Sequence, residues 1–398
     1  MFVIVLGIPV ICAEFVIGRA TGMNVAGAFR KLKAAKFWHL ISWLGILASF
    51  FIMGFYSVVA GWCVDYIWQS ATGFGQAASQ TDLHAQFDSL TGDAWRPLGW
   101  TFGFLLVNFF VISRGVEKGI ERMSNLLMPM LFVIMAAFCL NSLLMPGASQ
   151  GLEFLLKPDF SKLTPDVLLS AMGQAFFSLS VGMGVLITYA SYFKDGTRLV
   201  KTASLTAGLD TLVAVMAGIV IFPACFSFGQ EPAAGPKLVF EVLPSIFMSM
   251  PGGRIWGVLF FVLLFVASLT STVSVTEVVI AWLEGEWKIS RKKATVLYGI
   301  GVAVTAALCS LSFGVLSGWT VFGRNFFNLL DFLSSNILLP VGGMLLSVFV
   351  GWVLDRSVLR RELTPEGHCV PAYVPLIIFS LKFIAPVAIM AIFVVGIL

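Results

Sequence analysis

The chain has 398 residues, of which 58% are hydrophobic and only 12% charged, and its mean hydropathy is +0.94. Soluble domains carry roughly 25% charged residues, so this composition excludes a soluble enzyme and indicates an all-α, polytopic protein of the lipid bilayer. The net charge of +4 is small, and no basic tract points to nucleic acid. Cys12, Cys63, Cys139, Cys225, Cys309 and Cys369 stand singly, mostly in apolar segments. Without metal or redox spacing they read as small hydrophobes.

At about 20 residues per span, ten apolar segments separate, near 1–18, 38–68, 98–113, 122–145, 167–192, 199–228, 253–283, 292–312, 326–354 and 373–397. The first lacks the basic n-region and A-x-A cleavage site of a signal peptide and continues through Glu14 to Arg19, which suits a spanning helix. Lys and Arg set the sidedness. One set of alternate loops, with Arg19, Arg30, Arg114, Arg198, Arg291 and Arg356 among its members, holds 18 of them, and the other holds 6. The rule puts the richer set in the cytoplasm and the C-terminus outside. Lys382 falls inside the last span. The opposite loops, 69–97, 146–166 and 229–252, are long and carry acids such as Asp82, Asp93, Glu153 and Glu231.

Within the fifth segment, QAFFSLSVGMG (174–184) places two serines and two glycines at membrane depth. Non-helical backbone persists there only beside protein or a cavity, as in the broken helices of transporters. Small residues that pack one continuous helix against another fit the segment equally well. Glu14, Asp210, Glu277 and Asp331 lie within or at the ends of spans. A lone acid at the bilayer centre costs about 2.5–3.5 kcal/mol on insertion scales, so such groups face a cavity or a partner. Asp331, near the start of its span, can instead reach the interface; Asp210 and Glu277 are deeper. Ser268, Thr270, Ser271, Thr272 and Ser274 crowd a short stretch of the seventh span. Each alone is expected to bond its own i−4 carbonyl; together, beside a break, they form an oxygen-rich nest of the kind that suits a hard cation. Tyr56, mid-span, reads first as a core aromatic bonded to a backbone carbonyl. His39, His84 and His368 fall in loops or at span ends, and no Ser/His/Asp arrangement indicates an enzyme.

The stretches GIPVICAEFVIGRATG, SRGVEKGIERMSNLLMP, GLEFLLKPDFSKL, GQAFFSLSVGMGVLITYASY, LDTLVAVMAGIVIFPA, and LTSTVSV followed by WKISRKKAT together resemble the neurotransmitter:sodium symporter family. The likeness is to its bacterial amino-acid members with the leucine-transporter fold, which also serves as a general example of broken-helix transporters. The resemblance runs the length of the chain. It implies a single transporter domain: 1–145 as the remainder of a first inverted repeat, 167–354 as the second, and 373–397 as an extra C-terminal helix, in the cytoplasmic membrane of a bacterium. It implies that Tyr56 gives its hydroxyl to a substrate carboxylate, that Phe177 lids the substrate and that Ser180 contacts it through backbone. Ile52, Met183, Ser271 and Val275 would line the side-chain pocket. Ser178 and Asp210 would serve one sodium site. The carbonyl of Ala267 and the hydroxyls of Thr270 and Ser271 would serve a second. Asp331 would be the acidic half of an extracellular gate, and Glu14 would buttress the broken helices. The nine-residue interval between Gly119 and Pro129 would let the fourth span unwind, because Gly raises backbone entropy and Pro removes a helical hydrogen bond; a loop glycine and a plain helix kink account for the same spacing.

Two positions depart from the family pattern. The family's first helix has no counterpart, leaving ten spans of an expected eleven, and Gly285 stands where an Asp commonly closes the cytoplasmic gate, with Glu284 and Glu286 as substitutes. Ala214 offers no donor where chloride-dependent relatives place a serine, and Asp210 supplies a fixed negative charge instead, so chloride independence is expected. The expected activity is sodium-coupled symport of a neutral, hydrophobic or aromatic amino acid by alternating access. A different reading, a degenerate or truncated non-transporting scaffold, follows from the absent first helix. A channel is disfavoured because no repeated pore loop occurs.

Overall fold

The computed structural model describes residues 1–74, 80–194, 196–230, 235–364 and 371–397; Glu231, His368 and Cys369 lie outside them. Among the described residues, nine helices are long and apolar enough to cross a membrane. They are α1 (Val3–Thr21), α3 (Lys36–Thr72), α5 (Arg96–Ser113), α6 (Lys118–Leu143), α10 (Leu199–Ser227), α12 (Gly253–Trp287), α13 (Arg291–Leu311), α14 (Phe326–Val353) and α16 (Tyr373–Gly396). The remaining apolar segment is split into α8 (Pro165–Ser178) and α9 (Val185–Ala190). The interruption expected as one of two readings of QAFFSLSVGMG is therefore a true break.

The polar connections are more ordered than their composition suggests. They fold into α2 (Val25–Lys31), α4 (Gln80–Gly92), α7 (Ala148–Leu156), α11 (Leu238–Ser249) and α15 (Arg356–Leu363). Two of these starts are capped by side chains: Asn24 Oδ1 accepts from the Ala26 and Gly27 N–H groups, and Asp355 from Ser357, which satisfies donors that a helix leaves free. Asp93 accepts from the N–H groups of Trp95 and Arg96 at the entry to α5, and these bonds hold its carboxyl below the ordinary range.

The helices wrap one buried core. Its centre is the pairing of α3 with α12, flanked by α5, α13 and α14, while α1 packs on α9 and α10. Small residues let backbones approach, as is usual in membranes. A Cβ on Gly61 of α3 would meet the Thr101 backbone of α5 at 2.8 Å, and one on Gly151 of α7 would meet Pro223 of α10 at 2.3 Å. Gly119 is neither in a loop nor merely flexible. It lies in a π-helical turn, Val116–Glu121, with its Cα against the Val111 carbonyl, where a Cβ would come within 2.2 Å. Pro129 lies inside α6.

Ion pairs join loops belonging to the same charge-defined set. Arg19 Nε donates to Glu362 at 2.6 Å, and its guanidinium also reaches the Thr197 carbonyl. Arg30 forks onto both oxygens of Glu286 at 2.7 Å. Arg291 bonds the Ile112 carbonyl at 2.7 Å, Glu284 at 3.0 Å, and Glu277. In the other set, His84 meets Glu241 at 3.0 Å. Glu277 is fully buried, and Arg291 together with Tyr192, at 2.8 Å, accounts for its place in a span. Glu284 and Glu286, the substitutes expected for an acid at Gly285, thus already hold Arg291 and Arg30.

Removing one partner of a buried ion pair leaves an uncompensated charge, at a cost of about 3–5 kcal/mol. Glu277→Leu is expected to lower the thermal unfolding midpoint of the detergent-solubilised protein strongly, and Glu277→Leu with Arg291→Met to recover most of the loss. Equal melting of wild type and Glu277→Leu would contradict this role.

Candidate functional site

The break at 179–184 organises the site. Ser180, Gly182 and Gly184 have φ of 54°, 87° and 74°, left-handed values that end one helix and redirect the chain before the next. A Cβ on Gly182 would fall 2.7 Å from the Leu339 carbonyl of α14, so glycine is required there for space as well as for φ. The freed Gly182 N–H donates to Glu14 Oε1 at 2.7 Å. Glu14 is wholly buried and also faces the N–H groups of Leu186 and Ile187 in the first turn of α9. A carboxylate at a helix N-terminus satisfies donors that lipid cannot.

On the other side, one face of α3 looks at the break. Gly45, Ser49, Ile52 and Tyr56 recur at helical spacing. A Cβ on Gly45 would lie 3.0 Å from the Met183 carbonyl, and Ser49 Oγ donates to that carbonyl at 3.3 Å. Ile52 and Met183 are buried, as is Val275 on α12. The Tyr56 hydroxyl faces Ser268 and Ser271 of α12, not a backbone carbonyl as a generic membrane tyrosine would. Ser271 is exposed, as is Phe177 (42%) at the end of α8. Phe177 lines a small recess with Phe176, Val181, Ser335 and Leu339. Asp331 bonds Ser335, one turn on, at 3.1 Å, and sits at the same end of α14 as Phe326.

Two oxygen groups flank this face. Ser178 Oγ lies 2.7 Å from both carboxylate oxygens of Asp210, which joins α8 at the break to the middle of α10. Thr270 Oγ1 donates to the Ala267 carbonyl at 2.9 Å, with Ser271 adjacent in sequence. The five hydroxyls of the seventh span do not converge into one nest. α12 is continuous, so they spread around it. Thr272 bonds the Ser268 carbonyl at 2.8 Å and accepts from Asn108 at 2.9 Å. Ser274 bonds the Thr270 carbonyl and meets Tyr189 at 3.1 Å. Ser268 and Ser271 instead face the Tyr56 hydroxyl of α3.

Three participants escaped sequence reasoning. Asn108 links α5 to Thr272 and Thr276 of α12, and Tyr189 and Tyr192 tie α9 to Ser274 and Glu277. A buried Asn in an apolar span is itself a signal, since its amide needs partners there. For the tyrosines nothing in the spacing points to α12.

Residues 78–398 match the model of the sodium:neurotransmitter symporter family. An uncharacterized sodium-dependent transporter of Bacillus subtilis, YhdH, is 37% identical over 99% of this chain and 87% of its own. One from Haemophilus influenzae is 35% identical over 98% and 87%. The sodium-dependent dopamine transporter of Bos taurus is 24% identical over 88% of this chain and 56% of its own. Among solved structures, that of MhsT in complex with L-phenylalanine superposes with a TM-score of 0.90 and 41% identity, covering 99% of this chain and 89% of that one. The resemblance read from the motifs and the fold built around the broken helix agree with these matches: the chain belongs to the sodium:neurotransmitter symporter family.

Proposed function

We propose that this chain carries a neutral, hydrophobic or aromatic amino acid across the membrane together with sodium, by alternating access and without chloride. The Ser178–Asp210 pair is the observation that supports it most. One hydroxyl and one carboxylate, 2.7 Å apart, meet at the end of a broken helix. Hard oxygens of this kind suit a hard cation, and an ion held there would draw α8 and α10 together. Ala267, Thr270 and Ser271 are proposed as a second sodium site.

Substrate recognition follows from what faces the break. The Tyr56 hydroxyl is positioned to donate to a carboxylate, and Ser180 offers freed backbone. Ile52, Met183 and Val275 present buried apolar surface. Phe177 covers the substrate, and Asp331 closes the outer approach. Met adapts to shape, and the L-phenylalanine in the related structure supports an aromatic substrate. A zwitterion moves no net charge, so each sodium drives about 2.3 kcal/mol per 100 mV. Two ions would supply roughly 4.6 kcal/mol, about three decades of accumulation. Alternating access uses Gly119 and Pro129, where the packed π-helical turn and the proline weaken the start of α6.

Asp210→Ala is expected to raise the sodium concentration for half-maximal uptake by about tenfold or more, a loss of about 1.4 kcal/mol; Ser178→Ala should raise it less. An unchanged sodium dependence in both variants would remove this pair from the site. Competition of labelled uptake by an amino-acid panel should rank phenylalanine, tryptophan, tyrosine and leucine above charged amino acids, and preference for lysine or glutamate would sink the pocket assignment. Uptake should persist when gluconate replaces chloride, because Asp210 supplies the negative charge; its collapse would reject chloride independence.

A further inference from the structure

Away from the transport site, Lys382 lies nine residues inside α16, about 14 Å along the helix from Tyr373. A lone ammonium at that depth is costly unless it snorkels or is partnered. It turns toward the end of α14: Nζ sits 4.6 Å from the Trp352 ring centroid, and Trp352 Nε1 donates to the Lys382 carbonyl at 3.0 Å. Arg356 and Arg360, one turn apart on α15, complete the wall of a cavity of about 270 Å³. No ion pair engages either arginine among the described residues. Asp355 caps α15 through Ser357, and Arg361 turns to Glu362. The rest of the wall is apolar: Ile378, Phe379 and Phe383. Phe379 and Phe383 are about half exposed, with ring centroids 5.3 Å apart and the rings tilted by 49°, on a helix face open to lipid.

We propose that this cavity binds an anionic phospholipid. The phosphate is held between Arg356, Arg360 and Lys382, and an acyl chain runs along Phe379 and Phe383. Three cations with no ion pair among the described residues, gathered where an apolar wall begins, match the two ends of one lipid and fit neither a soluble anion nor a neutral lipid. Basic pockets between helices at a membrane surface take acidic headgroups for the same reason. The loop charge count places the site in the cytoplasmic leaflet; the binding itself does not depend on that orientation or on the transported substrate.

The test is quenching of Trp352 fluorescence in mixed micelles by phosphatidylglycerol with brominated acyl chains, against phosphatidylcholine with the same chains. The Trp352 signal is obtained by difference from Trp352→Phe. Half-quenching is expected at about tenfold less phosphatidylglycerol than phosphatidylcholine. Arg356→Gln/Arg360→Gln/Lys382→Gln should abolish the preference, Arg360→Gln alone should reduce it several-fold, and Lys382→Arg should retain it, with melting of each variant as the check on folding. Unbrominated phosphatidylglycerol should restore the fluorescence and inorganic phosphate should not. Equal quenching by the two lipids, a preference that survives both glutamine variants, or displacement by inorganic phosphate would each overturn the proposal.

Discussion

The structure depends on one constraint: a helix interrupted within the membrane must have its freed backbone groups satisfied by protein. Glu14 meets that demand at Gly182 and faces the first turn of α9. An unsatisfied amide in an apolar medium costs several kcal/mol, so the break stands only while α1 holds its carboxylate in place. The packing around it is correspondingly close. Gly182 lies against the Leu339 carbonyl, Gly45 against that of Met183, and Gly18 of α1 against that of Ile187. A side chain at any of these glycines would push neighbouring backbone away from the break.

Once the backbone is held open, the chemistry around it follows from placement. The end of α8 carries Ser178 to Asp210 of α10, and the stripe on α3 carries Tyr56 to the serines of α12. A carboxylate in a span is expensive alone, and each of the deep acids has a companion. Glu14 has backbone N–H groups, Asp210 has Ser178, and Glu277 has Arg291 and Tyr192. These acids differ in what their partners leave free. Glu277 is neutralised by a guanidinium that also holds Glu284 and the end of α5, which makes it a structural lock. Asp210 meets only a neutral hydroxyl among the described residues.

The basic loops form a second organising layer. Arg19, Arg30 and Arg291 each link segments far apart in sequence, tying α1 to α15, α2 to α12, and α13 to α5. The helices in these loops hold the ends of the spans at one face of the protein. Arg356 and Arg360 belong to this face but lack such partners among the described residues, which sets them apart from the arginines that knit the loops.

The amino-acid sequence by itself determined the number and ends of the spanning segments, because lipid demands about 20 apolar residues for each; every expected span lies within a few residues of a helix or of the broken pair. Motif resemblance also carried the family. Composition could not decide whether QAFFSLSVGMG breaks or packs, since Ser and Gly serve both ends. That was decided by Glu14, 168 residues away. The same holds for the seventh span, where neighbouring hydroxyls suggested one oxygen nest and a continuous helix sent them to different sides. Local sequence records what a segment can tolerate in lipid; which backbone groups are satisfied, and by whom, depends on contacts between distant helices that only the tertiary structure brings together.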